Sequence, residues 1–405
     1  MNVTIVPSVP RGAVTAPPSK SMAQRLLLCA GLADGQTVID NVSAAQDVLA
    51  VTDCLRALGA DVQIRDARAA VRGADPSTAP SAVLPCRESA ATLRFFVPLC
   101  LLGGMPMTLT GSPALLARPL DVYEALCRRQ GLSFSRTGAA LTVCGRLSAG
   151  DYPIPGDVSS QFLSGLLFAL PLLRQDSTLR ILPPLESRPY VALTRLALAR
   201  FGIEIQARSE DVLHIPGAQR YHPCACTVEG DWSNAAYFHA LNALGGSVRV
   251  DGLDPESAQG DRVCIPYLQR LREGFAALDL SDCPDLGPVL FAAAAALHGA
   301  RFTGTRRLRW KESDRVEAMR RELAKCGVTL TVEENEVTVP AGALSAPTKV
   351  LESHNDHRIA MALTLLLIRT GGTLHGAEAV RKSDPGFFAA LRTLGVPFTV
   401  EGETL

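Results

Sequence analysis

The sequence predicts an α/β protein of two pseudo-symmetric domains, each assembled from three similar units. Three observations carry that expectation. A helix, a glycine and an alternating strand pair recur along the chain; the first recurrences lie about 70 residues apart; and 405 residues exceed what one hydrophobic core ordinarily holds.

The chain opens on a short alternating strand, NVTIV, which precedes the first unit and fits either domain. The first unit is DVLAVTDCLRALGADVQIRDARAAVRG. Its apolar positions fall three and four residues apart until Gly59 closes the helix, after which the period becomes two. DVYEALCRRQGLSFSRTGAALTVCG repeats the pattern around Gly131, and VALTRLALARFGIEIQARSEDVLHIPG repeats it around Gly202, with gaps of about 70 residues. RVEAMRRELAKCGVTLTVEENEVTVPAG, around Gly327, and FFAALRTLGVPFTVEGETL, around Gly395, are two more copies. SED and EEN read as hairpin turns between strands. The wide gap between Gly202 and Gly327 leaves room for a degenerate copy at YLQRLREGFAALDLS, ending near Gly274. Six units make two domains of three, with a boundary near CTVEGDWSNAAY; a solenoid of mixed repeats is the alternative.

Bulk properties exclude several classes. Forty basic residues balance forty acidic ones, so no overall field recruits nucleic acid or an anionic membrane, and any anion site has to be local. MNVTIVPSVPRGAV lacks the basic segment and apolar core of a targeting signal, and no apolar run reaches membrane-spanning length. Eleven cysteines contain no C-x-x-C pair and no His/Cys cluster at zinc spacing; Cys224 and Cys226 are the one close pair. Reduced, mostly buried thiols in a cytoplasmic protein without a metal site are expected.

Between the repeats lie segments that differ from core. PPSKSMAQR puts Lys20 and Ser21 at the start of an apolar helix, with Arg25 within two turns; free N–H groups and the macrodipole at such a start favour an anion. CRESAATLRFF places Ser89, Ala90, Thr92 and Arg94 at another start. ARPLDVYEAL carries Arg118, and GDVSSQFLSGLLFALPLL carries Ser159, Ser160 and Gln161 at the head of a nearly all-apolar helix. In the second half, CPDLGPVLFAAAAALHG has Asp285 at the mouth of an Ala-rich helix. NDHRIAMALTLLLI has His357 and Arg358 entering another helix, the histidine reading as structural, and VRKSDPGFFAAL puts Lys382 before a helix whose first turn holds Pro385. Any one of these is also what an ordinary capped helix looks like. Three such starts per domain, with their partial charges summed, suit a ligand carrying several negative groups. RWKESDR, residues 309–315, adds a dense block of opposite charges; a solvated helix face is one explanation of it.

PSKSMAQR, SSQFLSGLL, WKESDR, NDHRIAMAL and RKSDPGFF occur in that order, and with them the whole chain resembles the enolpyruvyl transferases, specifically the 5-enolpyruvylshikimate-3-phosphate synthases. The resemblance implies two domains of three βαβαββ units each, an inside-out α/β barrel arrangement with helix starts facing an interdomain cleft. One domain is discontinuous, 1–18 plus 230–405, and 19–229 is inserted into it. It implies transfer of the enolpyruvyl group of phosphoenolpyruvate to the 5-hydroxyl of shikimate 3-phosphate through a tetrahedral intermediate, with release of phosphate. It further implies no metal or organic cofactor, small-molecule partners alone, and a monomer.

Carried over by the resemblance, Lys20, Ser21, Arg25, Ser159, Ser160, Gln161, Ser187, Tyr190, Asp285 and Lys311 hold shikimate 3-phosphate. Lys20, Gln161, Arg118, Arg315, Arg358 and Lys382 hold phosphoenolpyruvate, with the turn at Ala90 and Ala91 at its phosphate. Asp285, Glu312 and Lys20 share the proton transfers, and Asp314 orients an arginine. The family usually has glycine where this chain has Ala90, which implies reduced sensitivity to the inhibitor glyphosate. Arg307 stands where some members have asparagine, so no binding role is carried onto it. The rivals are the related transferase acting on a UDP-linked amino sugar, which needs a reactive cysteine, and an inactive phosphate-binding homologue.

Overall fold

The computed structural model describes residues 1–342 and 344–402. The chain divides into two compact units: Met1–Pro17 with Gly230–Leu405, and Pro18–Glu229.

In the Pro18–Glu229 unit one module is built three times. Ala82–Pro85 and Met107–Thr110 lie parallel, with the Ala90–Cys100 helix between them in sequence; Ala140–Cys144 and Ser133–Arg136 extend the sheet antiparallel. Asp151–Pro155, Ser177–Leu182, Val212–Ile215 and Gln206–Ala207 repeat the order around the Ser160–Ala169 helix. In the third sheet the first position is filled from the far end of the segment, because Ala225–Thr227 pairs parallel with Gln36–Asp40. The segment's ends accordingly meet, and the Ser19 N–H donates to the Glu229 carbonyl at 2.8 Å.

The other unit uses the same module. Ala276–Asp279, Ala300–Thr303, Glu336–Val339 and Thr331–Val332 form one sheet. Leu351–Glu352, Gly372–His375, Asn2–Ile5 and Phe398–Glu401 form the next. The opening strand NVTIV therefore belongs to this unit, lying antiparallel between the strands on either side of it. The hairpin read into FFAALRTLGVPFTVEGETL has only its first strand there; Asn2–Ile5 pairs with that strand, and residues 403–405 lie outside the described residues.

The degenerate copy is shorter than the sequence reading allowed. Its sheet has two strands, Arg11–Thr15 and Ser247–Asp251, paired parallel, with helices Trp232–Ala243 and Cys264–Glu273. After Gly274 the chain does not turn into a hairpin but enters Ala276–Asp279, the first strand of the following sheet. Gly274 is extended at φ 161°, whereas Gly59, Gly131, Gly202, Gly327 and Gly395 all take the left-handed conformation that closes a helix. Where a third strand would pair, the Asn242 amide substitutes for it. Its Nδ2 donates to the Val248 carbonyl at 2.7 Å and its Oδ1 accepts the Val248 N–H at 2.6 Å.

Helix composition sorts interior from exterior. Lys20–Leu32, Ala90–Cys100 and Ser160–Ala169 bury nearly every residue, as helices apolar on all sides must. Asp121–Gln130 buries only Tyr123, Leu126 and Cys127. Trp232–Ala243, Gly287–Ala296 and His357–Thr370 are the interior helices of the other unit. A Cβ at Gly165 would collide with Tyr123 and with the Arg94 carbonyl, so glycine is what lets two interior helices approach. Among the described residues no helix is long and apolar enough to cross a membrane.

Candidate active site

In the Pro18–Glu229 unit the three interior helices start side by side, because their first turns are bonded to one another. Ser19, Ser89 and Ser159 are the N-caps, accepting from Met22, Thr92 and Gln161 N–H groups. Gln24 Nε2 donates to Ser89 Oγ at 3.1 Å, and Arg94 Nη1 donates to Gln161 Oε1 at 2.8 Å. Ala90 is thus the first residue of a helix whose cap is held by a neighbouring helix, and Gln161 is aimed by an arginine from the next.

Cations gather on this end. Lys20 is nearly buried and pairs with Asp47 at 2.9 Å, a partner the sequence reading left inside the first repeat. Arg25 is buried against Phe95 and Tyr190 and donates to the Ser21 carbonyl, the Tyr190 carbonyl and Thr194 Oγ1. Burial pulls its guanidinium down to about 10. The Arg25 bonds bring Ser21, Arg25 and Tyr190 together, with Lys20 next to Ser21 in the chain. Ser187, three residues before Tyr190, stands at the N-cap position of the Arg188–Arg200 helix in a left-handed conformation, φ 58°, without a side-chain cap bond. Ser160 is buried one residue past its cap. Arg118 is half-buried, its side chain without a hydrogen bond or ion pair among the described residues. Its backbone is fixed on both sides: Arg136 donates to its carbonyl and Arg94 to that of Pro119.

The other unit joins its helix starts through one residue. Arg358 Nη1 donates to Asn234 Oδ1 at 3.0 Å and its Nη2 lies 3.6 Å from Asp285 Oδ2, so three interior helices meet at a single guanidinium. Asn234 was missed from the sequence; GDWSNAAYFHA has the same cap-then-apolar grammar as the other starts but served only as a boundary marker. Asp231 caps that helix through the Asn234 N–H.

RWKESDR folds into the densest charge cluster. Arg315 is buried with Nη1 on Asp285 at 2.9 Å, Nη2 on Glu312 at 2.7 Å and Nε on Asp356 at 2.9 Å. Burial pulls that guanidinium down, but Asp356, Glu312 and Asp285 outweigh it and hold it well above its ordinary range. Lys311 Nζ reaches Asp285 at 3.1 Å; burial draws its ammonium below the usual value, against the pull of Asp285. Lys382 Nζ donates to the Asn355 carbonyl at 2.6 Å. Arg307 is buried and donates to the Ser281 carbonyl.

Asp314 caps its own helix through the Glu317 N–H and lies 3.9 Å from Arg309, while Asp356 takes Arg315. One reading is corrected here: Pro385 precedes its helix rather than sitting in the first turn, since that helix begins at Phe387. His357 is buried at its helix start, 3.9 Å from Asp356.

Chemically, one guanidinium holds two partly exposed carboxylates on one framework, and carboxyl groups are able to give or take protons. Cys86, Cys100 and Cys127 are buried, and burial pushes the Cys127 thiol up to about 11, the opposite of what a reactive cysteine needs.

Residues 7–391 match the family model for EPSP synthase (3-phosphoshikimate 1-carboxyvinyltransferase). The chain is 37% identical over 414 residues to the 3-phosphoshikimate 1-carboxyvinyltransferase of Clostridium kluyveri, covering 97% of each. It is 35% identical over 416 residues to that of Clostridium perfringens, covering 97% of this chain and 98% of the relative. The fold matches that of the EPSP synthase of Acinetobacter baumannii with a TM-score of 0.79 at 21% identity, over 99% of this chain and all of the other. With matches of that extent, the chain belongs to the EPSP synthase family.

Proposed function

We propose that this chain is a working 3-phosphoshikimate 1-carboxyvinyltransferase, moving the enolpyruvyl group of phosphoenolpyruvate onto the 5-hydroxyl of shikimate 3-phosphate and releasing phosphate. Glu312 gives a proton to the methylene carbon of phosphoenolpyruvate, and cationic character develops at the adjacent carbon. Asp285 takes the proton of the 5-hydroxyl as its oxygen attacks there. The tetrahedral intermediate then returns a methyl proton to Glu312 as the C–O bond to phosphate breaks, and the departing phosphate takes up the proton held by Asp285. Lys20 is the third group for these transfers. Each well-placed transfer is worth about 10²- to 10⁴-fold in rate.

The observation that carries this reading is the shared guanidinium of Arg315, which keeps Asp285 and Glu312 on one framework in a member of this family. Shikimate 3-phosphate is assigned to Lys20, Ser21, Arg25, Ser159, Ser160, Gln161, Ser187, Tyr190, Asp285 and Lys311. Phosphoenolpyruvate is assigned to Arg118, Arg315, Arg358 and Lys382, with Lys20 and Gln161 touching both and Ala90 at the phosphate. Arginine suits these anions because its fork bonds carboxylate and phosphate two at a time. The enzyme acts as a monomer on small molecules in the cytoplasm; eleven free cysteines support a reducing compartment.

A phosphate-release assay on the purified chain tests the proposal. Phosphate should appear only when both substrates are present. Release with a UDP-linked amino sugar in place of shikimate 3-phosphate, or no release with any acceptor, would overturn it.

A further inference from the structure

Residues 353–356 make an expensive turn. His354 and Asn355 both take the left-handed conformation, φ 53° each, although neither is glycine. Two such residues in a row are strained and persist only where the surroundings over-determine them. Part of the restraint is local: the Asn355 N–H donates to Ser353 Oγ and the Asp356 N–H to the Ser353 carbonyl.

The rest comes from a buried carboxylate that the mechanism does not use. Glu322, 1% exposed, lies on the Arg315–Lys325 helix. Its Oε1 meets His354 Nε2 at 3.0 Å, while its Oε2 accepts Lys325 Nζ at 2.7 Å and the Glu352 N–H at 2.9 Å. Burial raises its carboxyl, but His354, Lys325 and the Glu352 N–H outweigh that and keep it below the usual value. The same helix begins with Arg315, which grips Asp356. One helix thus holds the turn at two points, two helical turns or about 10 Å apart along its axis.

The turn's products are the ends of the phosphoenolpyruvate set. The Asn355 carbonyl receives Lys382 Nζ, and Asp356 caps the His357–Thr370 helix through the Arg358 N–H while anchoring Arg315. We propose that Glu322 and His354 are positioning residues for phosphoenolpyruvate, clamping the His354–Asn355 turn so that Lys382, Arg315 and Arg358 are presented in register. This rests on the assignment of those three cations to phosphoenolpyruvate made above.

His354→Asn removes the clamp with a residue that tolerates the left-handed region, and Glu322→Gln removes it from the other side. Each variant should raise the KM for phosphoenolpyruvate about tenfold, equivalent to ~1.4 kcal/mol, with the KM for shikimate 3-phosphate and kcat changed less than about twofold. The double variant should lose no more than the larger single loss, because both act through one contact. Hydrogen exchange at the Asp356 and Arg358 amides should quicken in His354→Asn, a readout independent of turnover and of whether Glu322→Gln folds well. An active wild type whose two variants leave the KM ratio unchanged overturns the positioning role, and so does unchanged amide protection. A wild type that releases no phosphate overturns the parent assignment instead, leaving the exchange measurement to judge the clamp.

Discussion

Asp356 meets Arg315 across 2.9 Å, carboxylate to Nε, with both side chains sealed from solvent and 41 positions apart in sequence. The other two nitrogens of Arg315 serve Asp285 and Glu312, so Asp356 is the fixed end of the lever that sets where both sit. Asp356→Asn keeps the helix cap but removes the anchoring charge, and breaking a buried pair costs about 3–5 kcal/mol. Urea unfolding should register a loss of that order, with a KM for phosphoenolpyruvate raised about tenfold or more. A variant as stable as the parent would show that Arg315 is held by the other two carboxylates alone.

Separating the acid from the base needs two substitutions read by two methods. Glu312→Gln and Asp285→Asn should each lower kcat by about 10²- to 10⁴-fold. Calorimetric binding of shikimate 3-phosphate should survive in Glu312→Gln and weaken in Asp285→Asn, because only Asp285 is assigned to that ligand. Equal weakening in both would move Glu312 into the binding set.

Ala90 opens its helix 7% exposed, one residue beyond the Ser89 cap. On the proposed assignment the phosphate of phosphoenolpyruvate lies against this helix start, where the methyl takes up space. Ala90→Gly should lower both the KM for phosphoenolpyruvate and the inhibition constant of glyphosate, the longer molecule gaining more, about tenfold for relief of ~1.4 kcal/mol. A parent enzyme already inhibited at low micromolar glyphosate would show that the methyl obstructs nothing.

Asp384 is buried, and burial pushes its carboxyl up to about 7 against the opposing Gly386 N–H. A carboxyl raised in the folded state holds its proton more tightly folded than unfolded. The resulting stability is present at low pH and is lost as pH climbs from about 4 through about 7. Asp384→Asn retains an acceptor for the Gly386 N–H while removing the titration. The variant should match the parent in denaturant stability near pH 4 and exceed it near pH 8. Asp261, also pushed up to about 7 chiefly by burial, keeps some slope in the same window. Parallel curves for parent and variant would show that Asp384 does not titrate there.

The two-stranded sheet supplies a test that leaves chemistry alone. Val248 is buried, and its N–H and carbonyl both depend on the Asn242 side chain. Asn242→Ala strips both partners at once, each orphaned group costing about 1–3 kcal/mol. Unfolding should come earlier while both KM values stay put. A variant of parental stability would mean that solvent serves Val248 equally well.

Local rules made much of this legible. Ser19, Ser89 and Ser159 announced helix starts because a cap is a contact between a residue and the backbone two or three positions on. The closing glycines were legible for the same reason, since left-handed closure is a property of one residue. What sequence could not rank was competition between near and distant partners. Asp314 is one residue from Arg315 yet spends its carboxylate on its own helix, leaving the arginine to Asp356. Nor could alternation after Gly274 say which sheet it served, because period two is the same in a hairpin and in the opening strand of another module. Asn234 was hidden by its surroundings, a buried amide on a mostly buried helix with no periodic signature.

The bond from Ser19 to Glu229 also has a use in the laboratory. A stretch of chain that leaves and returns at touching points behaves as a removable cassette: cut out and expressed alone it needs no long linker to close its termini, and new ends could be opened at an exposed hairpin such as the one before Ala140. Residues 18–229 expressed alone should therefore show a cooperative melting transition of their own by calorimetry, and a chain that melts without one would show that the segment needs the rest of the protein to fold.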